Sequence, residues 1–450
     1  MKRKKRISRR EFISNVAASA AAVTIVPAHV LGRNAPSNKL NIAAIGSGGR
    51  ARSNLKGVTG ENIVALCDVD QERAASTFKA YPNAKKYKDF RVMLDEMHKS
   101  IDAVIVSTPD HTHAVAAIRA IKMGKHVYCE KPLAHSIYEV RQITEAARKY
   151  KVQTQMGNQG HSSEQIRMMC EWIEDGAIGE ITEAYAWSSR PSGGAAFAVN
   201  MKRPRDEPPV PDGLDWDLWL GPAQYRPYHP DYLPFKWRGW IDFGTGALGD
   251  MGCHILDPMF WALKLGQADN IEVEATTTHY VPEIMKETYP VASVVRYKFP
   301  ARGNMPPLKL TWSDGRLRPP RPDDMEINRR IGGEGALLIG ENGNIIHGSH
   351  GAGGLRIVPE TKMKAYEMPP KTLPRSEGHH KDWLGACKGG KPASSNFNYG
   401  GLLTEMALLG VLAIRNQNRK LLWDVKNMRI TNDPEADKYV KPLFRNGWTI

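Results

Sequence analysis

Leu40-Asn41-Ile42-Ala43-Ala44-Ile45-Gly46-Ser47-Gly48-Gly49-Arg50-Ala51 is the stretch on which the fold turns. A short apolar run reads as a buried strand, and the glycines that end it read as a turn into a helix. Gly46 permits the tight turn, and Gly48 lets the backbone approach a pyrophosphate. Ala51, at the third position, allows close helix–strand packing. Ser47, Gly49 and Arg50 complete a turn whose helix N-terminus offers unpaired N–H groups and positive potential to phosphates. Alone such a turn is weak evidence. Here Asp68 answers it, closing a second apolar run at residues 63–67. An acid there accepts hydrogen bonds from ribose hydroxyls and repels a 2′-phosphate, which favours NAD over NADP. Arg50 and Arg73 point the other way.

Outward from this unit the pattern repeats. Further apolar runs at 103–106, 126–129 and 152–156 alternate with helical patterns at 90–97, 114–123 and 138–149. Strands alternating with helices predict βαβ units, a parallel sheet and a Rossmann domain over residues 39–158. After residue 158 the rhythm changes. A helix at 163–175 precedes a Pro- and Gly-rich stretch at 191–211. Alternating runs at 271–281, 291–299 and 308–312 predict antiparallel strands. Asn342-Gly343 offers a hairpin turn. A last apolar helix, 402–416, is expected to pack at the interface of the first domain with a second one spanning residues 159–450. The fold class is α/β.

Three loops carry candidate chemistry. Ser107-Thr108-Pro109-Asp110-His111-Thr112-His113 falls at the carboxyl end of a strand, where ligands bind in open parallel sheets. Thr108, Pro109, Asp110 and His113 are expected at the cofactor. No acidic or Cys partners stand at metal-site spacing around the two histidines, so no metal is predicted. Glu130-Lys131-Pro132 follows the next strand, and Lys131 reads as a cation fixed in the same crevice; the alternative is a surface ion pair. In residues 244–257, GTGALGDMGCHILD, Asp250 and His254 are four apart and share a helical face, with Asp257 three residues further on. A His flanked by carboxylates is held in one tautomer and takes a proton near neutral pH. A capping Asp beside a packed His explains the same letters. Trp216, Trp219, Trp237, Trp240, Tyr225, Tyr228 and Tyr232 offer faces for sugar rings, and Arg238, His161 and Asp257 offer hydrogen-bond partners to hydroxyls. At least half of these aromatics are expected to fill a core.

Together AAIGSGGRA, TPDHTH, EKPLA and GDMGCHILD resemble the glucose–fructose oxidoreductase, inositol dehydrogenase and rhizopine-catabolism (Gfo/Idh/MocA) family, from Lys39 to the C-terminus. The resemblance implies a C-terminal α/β domain with a large, mostly antiparallel open sheet, often used for homo-oligomerisation. It implies that Lys131, Asp250 and His254 surround the oxidised hydroxyl, His254 as acid/base, and that Glu130 and Lys131 also meet the cofactor. Asp110 stands where many members have Asn. The expectation is a dehydrogenase of a sugar, glycoside or polyol. The alternatives are an NAD-dependent glycosidase acting by oxidation, elimination and re-reduction, or a sugar-binding protein without catalysis.

Composition narrows the setting. The net charge of +14 owes seven Lys or Arg and one Glu to residues 1–28, leaving +8 spread along the chain. No basic run interleaves with aromatics, so nucleic acid is not an expected partner. Residues 1–33 read as a twin-arginine signal. They combine a basic start, Ser8-Arg9-Arg10-Glu11-Phe12-Ile13 and a short Ala-rich apolar run too brief to span a membrane. The five cysteines are odd in number and widely spaced, giving neither a disulfide framework nor a CxxC site. These features predict a periplasmic enzyme, exported folded by the twin-arginine machinery with its cofactor tightly bound and no stable membrane anchor.

Overall fold

The computed structural model describes residues 38–191 and 197–450; the expected signal segment lies outside them. Strands β1 (Asn41–Ile45), β2 (Asn62–Cys67), β3 (Lys85–Tyr87), β4 (Ala103–Val106), β5 (His126–Cys129) and β6 (Thr154–Met156) form one sheet in the order β3-β2-β1-β4-β5-β6. Every neighbouring pair is parallel. The chain reverses direction across the sheet between β1 and β4, which opens a crevice at their carboxyl ends. Ile42, Ala43, Ala44 and Ile45 are all buried, so helices must cover both faces, and continuous apolar strands follow.

Helices α1 (Ala51–Lys56), α2 (Gln71–Ala80), α3 (Phe90–Met97), α4 (Asp110–Lys122) and α5 (Ile137–Tyr150) supply the connections. Asp70, Asp89 and Ser136 cap three of them by accepting hydrogen bonds from first-turn amides. Helix α4 begins at Asp110, four residues before the start read from the apolar pattern. Its first turn therefore contains both histidines of the crevice loop.

Helix α6 (Glu164–Glu174) leads into β7 (Ile181–Trp187) of a second sheet. Helices α7 (Gly246–Ile255) and α8 (Asp257–Ala262) follow. Then come β8 (Asn270–Thr277), β9 (Ser293–Phe299), β10 (Leu308–Ser313), β11 (Gly335–Gly340), β12 (Gly343–His347) and β13 (Arg356–Val358). With β14 (Leu421–Asp424) and β15 (Arg429–Ile430) the order is β13-β12-β11-β7-β10-β9-β8-β14-β15, antiparallel except for the parallel pair β7–β10. The α/β architecture with a mostly antiparallel second sheet is thus observed. The runs at 271–281 and 291–299 outreach the strands, which stop at Thr277 and resume at Ser293, with Pro282–Met285 in a helical turn between them. The hairpin after β11 turns on Glu341-Asn342 rather than on Asn342-Gly343, because Gly340 pairs with Gly343.

Two late helices tie the sheets together. Helix α9 (His379–Cys387) places Trp383 among Ile42, Ala44, Leu66, Ile105 and Tyr128, on one face of the first sheet. Helix α10 (Phe397–Arg415) packs against α5, α7, β6, β8 and β9. It starts five residues before the expected 402 because Asn396 caps it, accepting from the Asn398 amide. It is apolar and long enough to cross a membrane, yet its apolar window is 83% buried inside the protein.

Candidate functional site

The glycine-rich turn holds its shape through backbone bonds. Gly46 has φ +79°, and a Cβ there would stand 2.8 Å from the Ser107 carbonyl carbon. The amides of Gly46 and Ser47 donate to the Cys67 carbonyl at 2.9 and 3.2 Å. Asp68 accepts from the Gly48 amide at 2.8 Å and from the Asp70 amide at 3.0 Å, one on each oxygen. Burial raises its carboxyl, and these amides pull against that rise. Each oxygen keeps a lone pair for a ligand hydroxyl. Ala51 is fully buried, as close helix–strand contact requires. The Arg73 side chain lies over Gly48 and Gly49, 2.8 Å from where their Cβ atoms would be. A buried Thr108 hydroxyl without a partner among the described residues lies just beyond the end of β4. A glycine turn with a guanidinium over it, an anchored acid and a hydroxyl without a partner among the described residues together fit a dinucleotide.

Arg50 and Glu130 meet directly. Glu130 Oε1 accepts from Arg50 Nε at 3.2 Å, Asn54 Nδ2 at 2.9 Å and Gln159 Nε2 at 3.1 Å. Pro109 is the N-cap of α4. His113 lies with its ring nitrogens 2.7 Å from the Pro132 carbonyl and 2.8 Å from the Thr108 carbonyl, stapling the two crevice loops together. Asp110 is buried and accepts from the Thr245 hydroxyl at 2.7 Å, in the residue that precedes α7. His111 is also internal. Its nitrogens face the Phe243 and Trp219 carbonyls at 3.3 and 3.0 Å, its ring packs on both aromatic side chains, and burial lowers its pKa to about 3.

Lys131, Asp250 and His254 converge where the second domain meets the crevice. Lys131 Nζ donates to the carbonyl oxygen and to Oδ1 of Asp250, both at 2.7 Å. Arg238 Nε reaches Asp250 Oδ1 at 3.1 Å, and Arg190 Nη1 reaches Oδ2 at 2.6 Å. Burial alone would raise the Asp250 pKa, but Lys131, Arg238 and Arg190 outweigh it and hold the carboxylate ionised, far below its usual range. His254 is 7% exposed, and burial, then Lys131 and His350, push its pKa well below the usual value. Nδ1 of His254 is buried without a partner, and its ring lies 4.2 Å from that of His350. This is a neutral imidazole beside a cation-bound carboxylate, with no hydrogen-bond partner of its own among the described residues.

Asp257 does not orient His254. It accepts from Asn158 Nδ2 at 2.9 Å and the Tyr399 hydroxyl at 2.6 Å, and its Oδ1 is 2.9 Å from His161 Nδ1. His161 is 1% exposed and stacks on Trp261, so this expected substrate pair forms part of the wall behind the site. The aromatic cluster is mostly a core: Trp216, Trp219, Tyr228, Tyr232, Trp237, Trp240 and Phe243 pack together, and only Tyr225 is exposed. Trp237 is buried, yet its ring lies under the Arg238 guanidinium at 4.2 Å. Sequence reading missed Arg190 and His350. They reach the site from the end of β7 and from the turn after β12, and neither has a local pattern to announce it.

Residues 40–158 match the model described as "Oxidoreductase family, NAD-binding Rossmann fold" of the Gfo/Idh/MocA family, and residues 190–292 match its C-terminal alpha/beta domain. The chain is 25% identical over 224 residues to levoglucosan dehydrogenase of Pseudarthrobacter phenanthrenivorans, covering 48% of this chain and 46% of that one. It is 30% identical over 125 residues to inositol 2-dehydrogenase of Salmonella typhimurium, covering 27% and 37%. The matched stretches thus span less than half the length of either relative. Among solved structures, the WlbA dehydrogenase from Bordetella pertussis, in complex with NADH and UDP-GlcNAcA, has the same fold. Its TM-score is 0.58 at 16% identity, covering 84% of this chain and 97% of that one. The chain thus matches both domains of the Gfo/Idh/MocA family of oxidoreductases, the NAD-binding Rossmann fold over residues 40–158 and the C-terminal domain over residues 190–292.

Proposed function

We propose that this protein oxidises a hydroxyl-bearing carbon of a sugar, glycoside or polyol, using NAD that it retains. The observation that carries the reading is the convergence of Lys131, Asp250 and His254 beside the dinucleotide crevice. Bound NAD supplies the hydride acceptor. Gly48 and Gly49 would admit its pyrophosphate, and Asp68 would take the adenosine ribose.

His254 acts on the substrate hydroxyl. Kept neutral by burial and neighbouring positive charge, it accepts the hydroxyl proton during oxidation and returns it in reduction. Lys131 keeps one ammonium N–H beyond the two that Asp250 occupies, and directs it at the developing alkoxide. Asp250 holds Lys131 and the two arginines in register. A bare sugar-binding protein has no use for a cation-anchored carboxylate beside a deprotonated imidazole.

The twin-arginine pattern adds export to the periplasm. A folded, exported enzyme has no cytosolic cofactor pool to draw on, so NAD stays bound and is recycled in place. The open second sheet suits assembly with further copies of the chain. Native mass spectrometry of the purified protein, followed by a sugar panel read through nicotinamide absorbance, tests the reading. Retained NAD that is reduced by a sugar supports it. Apo-protein with weak cofactor affinity, or bound NAD that no sugar or polyol reduces, contradicts it.

A further inference from the structure

The site holds more cation than its proposed chemistry requires. Three positive side chains converge on the single carboxylate of Asp250: Lys131 Nζ and Arg238 Nε on Oδ1 at 2.7 and 3.1 Å, and Arg190 Nη1 on Oδ2 at 2.6 Å. Neither arginine pairs with a second acid among the described residues. Glu334, the nearby carboxylate that acts on His350, is held by the hydroxyls of Ser188 at 3.0 Å and Ser189 at 3.3 Å. One pair, Lys131–Asp250, is enough to place an ammonium at a hydroxyl, so the two guanidinium groups are surplus to that task.

Both are also underused. Arg238 spends only Nε on Asp250, and its plane rests on Trp237 at 4.2 Å and Phe235 at 4.6 Å. Its Nη1 and Nη2 have no acceptor among the described residues. Among the described residues, Arg190 spends only Nη1. The side chain of Arg238 is 19% exposed and that of Arg190 42%, so one stands deeper and the other nearer the mouth. A guanidinium presents five donors in a planar fork that matches two oxygens of a carboxylate or phosphate. Three cations sharing the one carboxylate of Asp250 as their ion-pair partner leave partly desolvated positive charge unbalanced, and an anionic ligand offsets it.

We propose that the substrate bears an anionic group, a carboxylate or a phosphate ester, bound by Arg190 and Arg238 beside the reacting hydroxyl. This rests on the reading of the crevice as a sugar site. An anion there also offsets the charge that Lys131 and Arg190 project onto His350.

Calorimetric titration of the protein, as isolated with its cofactor, tests the proposal with four probes: D-glucuronate, D-glucose 6-phosphate, D-glucose and D-glucuronamide. At least one anion is expected to bind about 10- to 100-fold more tightly than both neutral probes, the span of charge-assisted hydrogen bonds. Which anion binds tighter separates carboxylate from phosphate. The preference should shrink to within about threefold in Arg190→Gln/Arg238→Gln and partly survive in Arg190→Lys, where charge remains without the fork. Equal binding of anionic and neutral probes by the unaltered protein overturns the proposal, as does failure of both anions to bind. An undiminished preference in the double variant does so too. Anion preference with no change at the nicotinamide supports this inference and removes the dehydrogenase reading. Oxidation of neutral sugars with no anion preference does the reverse.

Discussion

Lys131 Nζ lies 2.7 Å from both the carbonyl oxygen and Oδ1 of Asp250, joining the loop after β5 to helix α7 across 119 residues. The two domains are therefore locked together at the proposed reacting centre. Lys131→Met removes the donor to the alkoxide and one of the three cations on Asp250. Turnover should fall about 10²- to 10³-fold, as for loss of one oxyanion donor. Lys131 is also among the charges that lower the His254 pKa. Its removal should move the acidic limb of the residual rate profile to higher pH, which a profile of kcat/KM would show. An unmoved limb would separate Lys131 from the titrating base.

Cofactor choice rests on Asp68. Asp68→Ala removes the acceptor anchored by the Gly48 and Asp70 amides and leaves Arg73 beside the turn. NAD should bind about tenfold more weakly, and NADP should gain relative to it, because a repulsive charge is lost. Binding titrations with both nucleotides check this. A wild-type preference for NADP would contradict the role given to Asp68.

Acid stability has a sign that follows from buried groups. His111, His379 and His347 are lowered by burial to about 3, 3 and 4. Their contribution is complete above the unfolded value near 6.5 and is lost as pH falls from there towards those values, at roughly 1.4 kcal/mol per pH unit for each. Glu139 and Asp314 oppose this. Burial raises them to about 7 and about 6, so the stability they contribute is complete below their unfolded values and lost as pH rises through 6 to 7. Glu171, held down to about 2 chiefly by Arg375, adds its loss only below pH 4.5. Urea midpoints should therefore fall gently from pH 6.5 to about 4.5 and steeply below it. A uniform slope through that range would contradict these assignments.

Trp383 reaches the Rossmann sheet from a helix more than 200 residues later in the chain, and is fully buried there. Trp383→Ala should cost about 3–5 kcal/mol, as for a large side chain removed from a closed core. Thermal unfolding with and without NAD would show it. A cost below about 1 kcal/mol would mean that α9 is not part of that core.

The parallel sheet was legible because buried β1 and the glycine turn are local patterns, readable within a dozen residues. So was the Asp250–His254 spacing, since residues four apart share a helix face wherever the helix lies. What stayed hidden is non-local. Nothing near Asp257 shows that its partners are Asn158, His161 and Tyr399, which turns an expected substrate residue into a wall. Nothing near Asp110 likewise shows that its partner is the hydroxyl of Thr245, 135 residues later. Arg190 and His350 have no periodicity of their own, and only the second sheet brings them to His254 and Asp250. The aromatic cluster was legible as a composition, but its role as a core around Arg226 depends on packing.

His254 carries the central claim. It is buried, unpartnered at Nδ1 and held neutral well below its usual pKa. The direct measurement is single-turnover reduction of the bound cofactor by sugar, in His254→Ala and in the unaltered protein, across pH. The variant should keep its fold and its cofactor. Its rate should be lowered about 10²- to 10⁴-fold, the contribution of a positioned proton-transfer group. The unaltered protein should keep its oxidation rate well below pH 6.5 before an acidic limb appears, and the variant should lack that limb. Near-normal reduction of the cofactor in His254→Ala would contradict the account and leave His254 as a packed side chain beside His350.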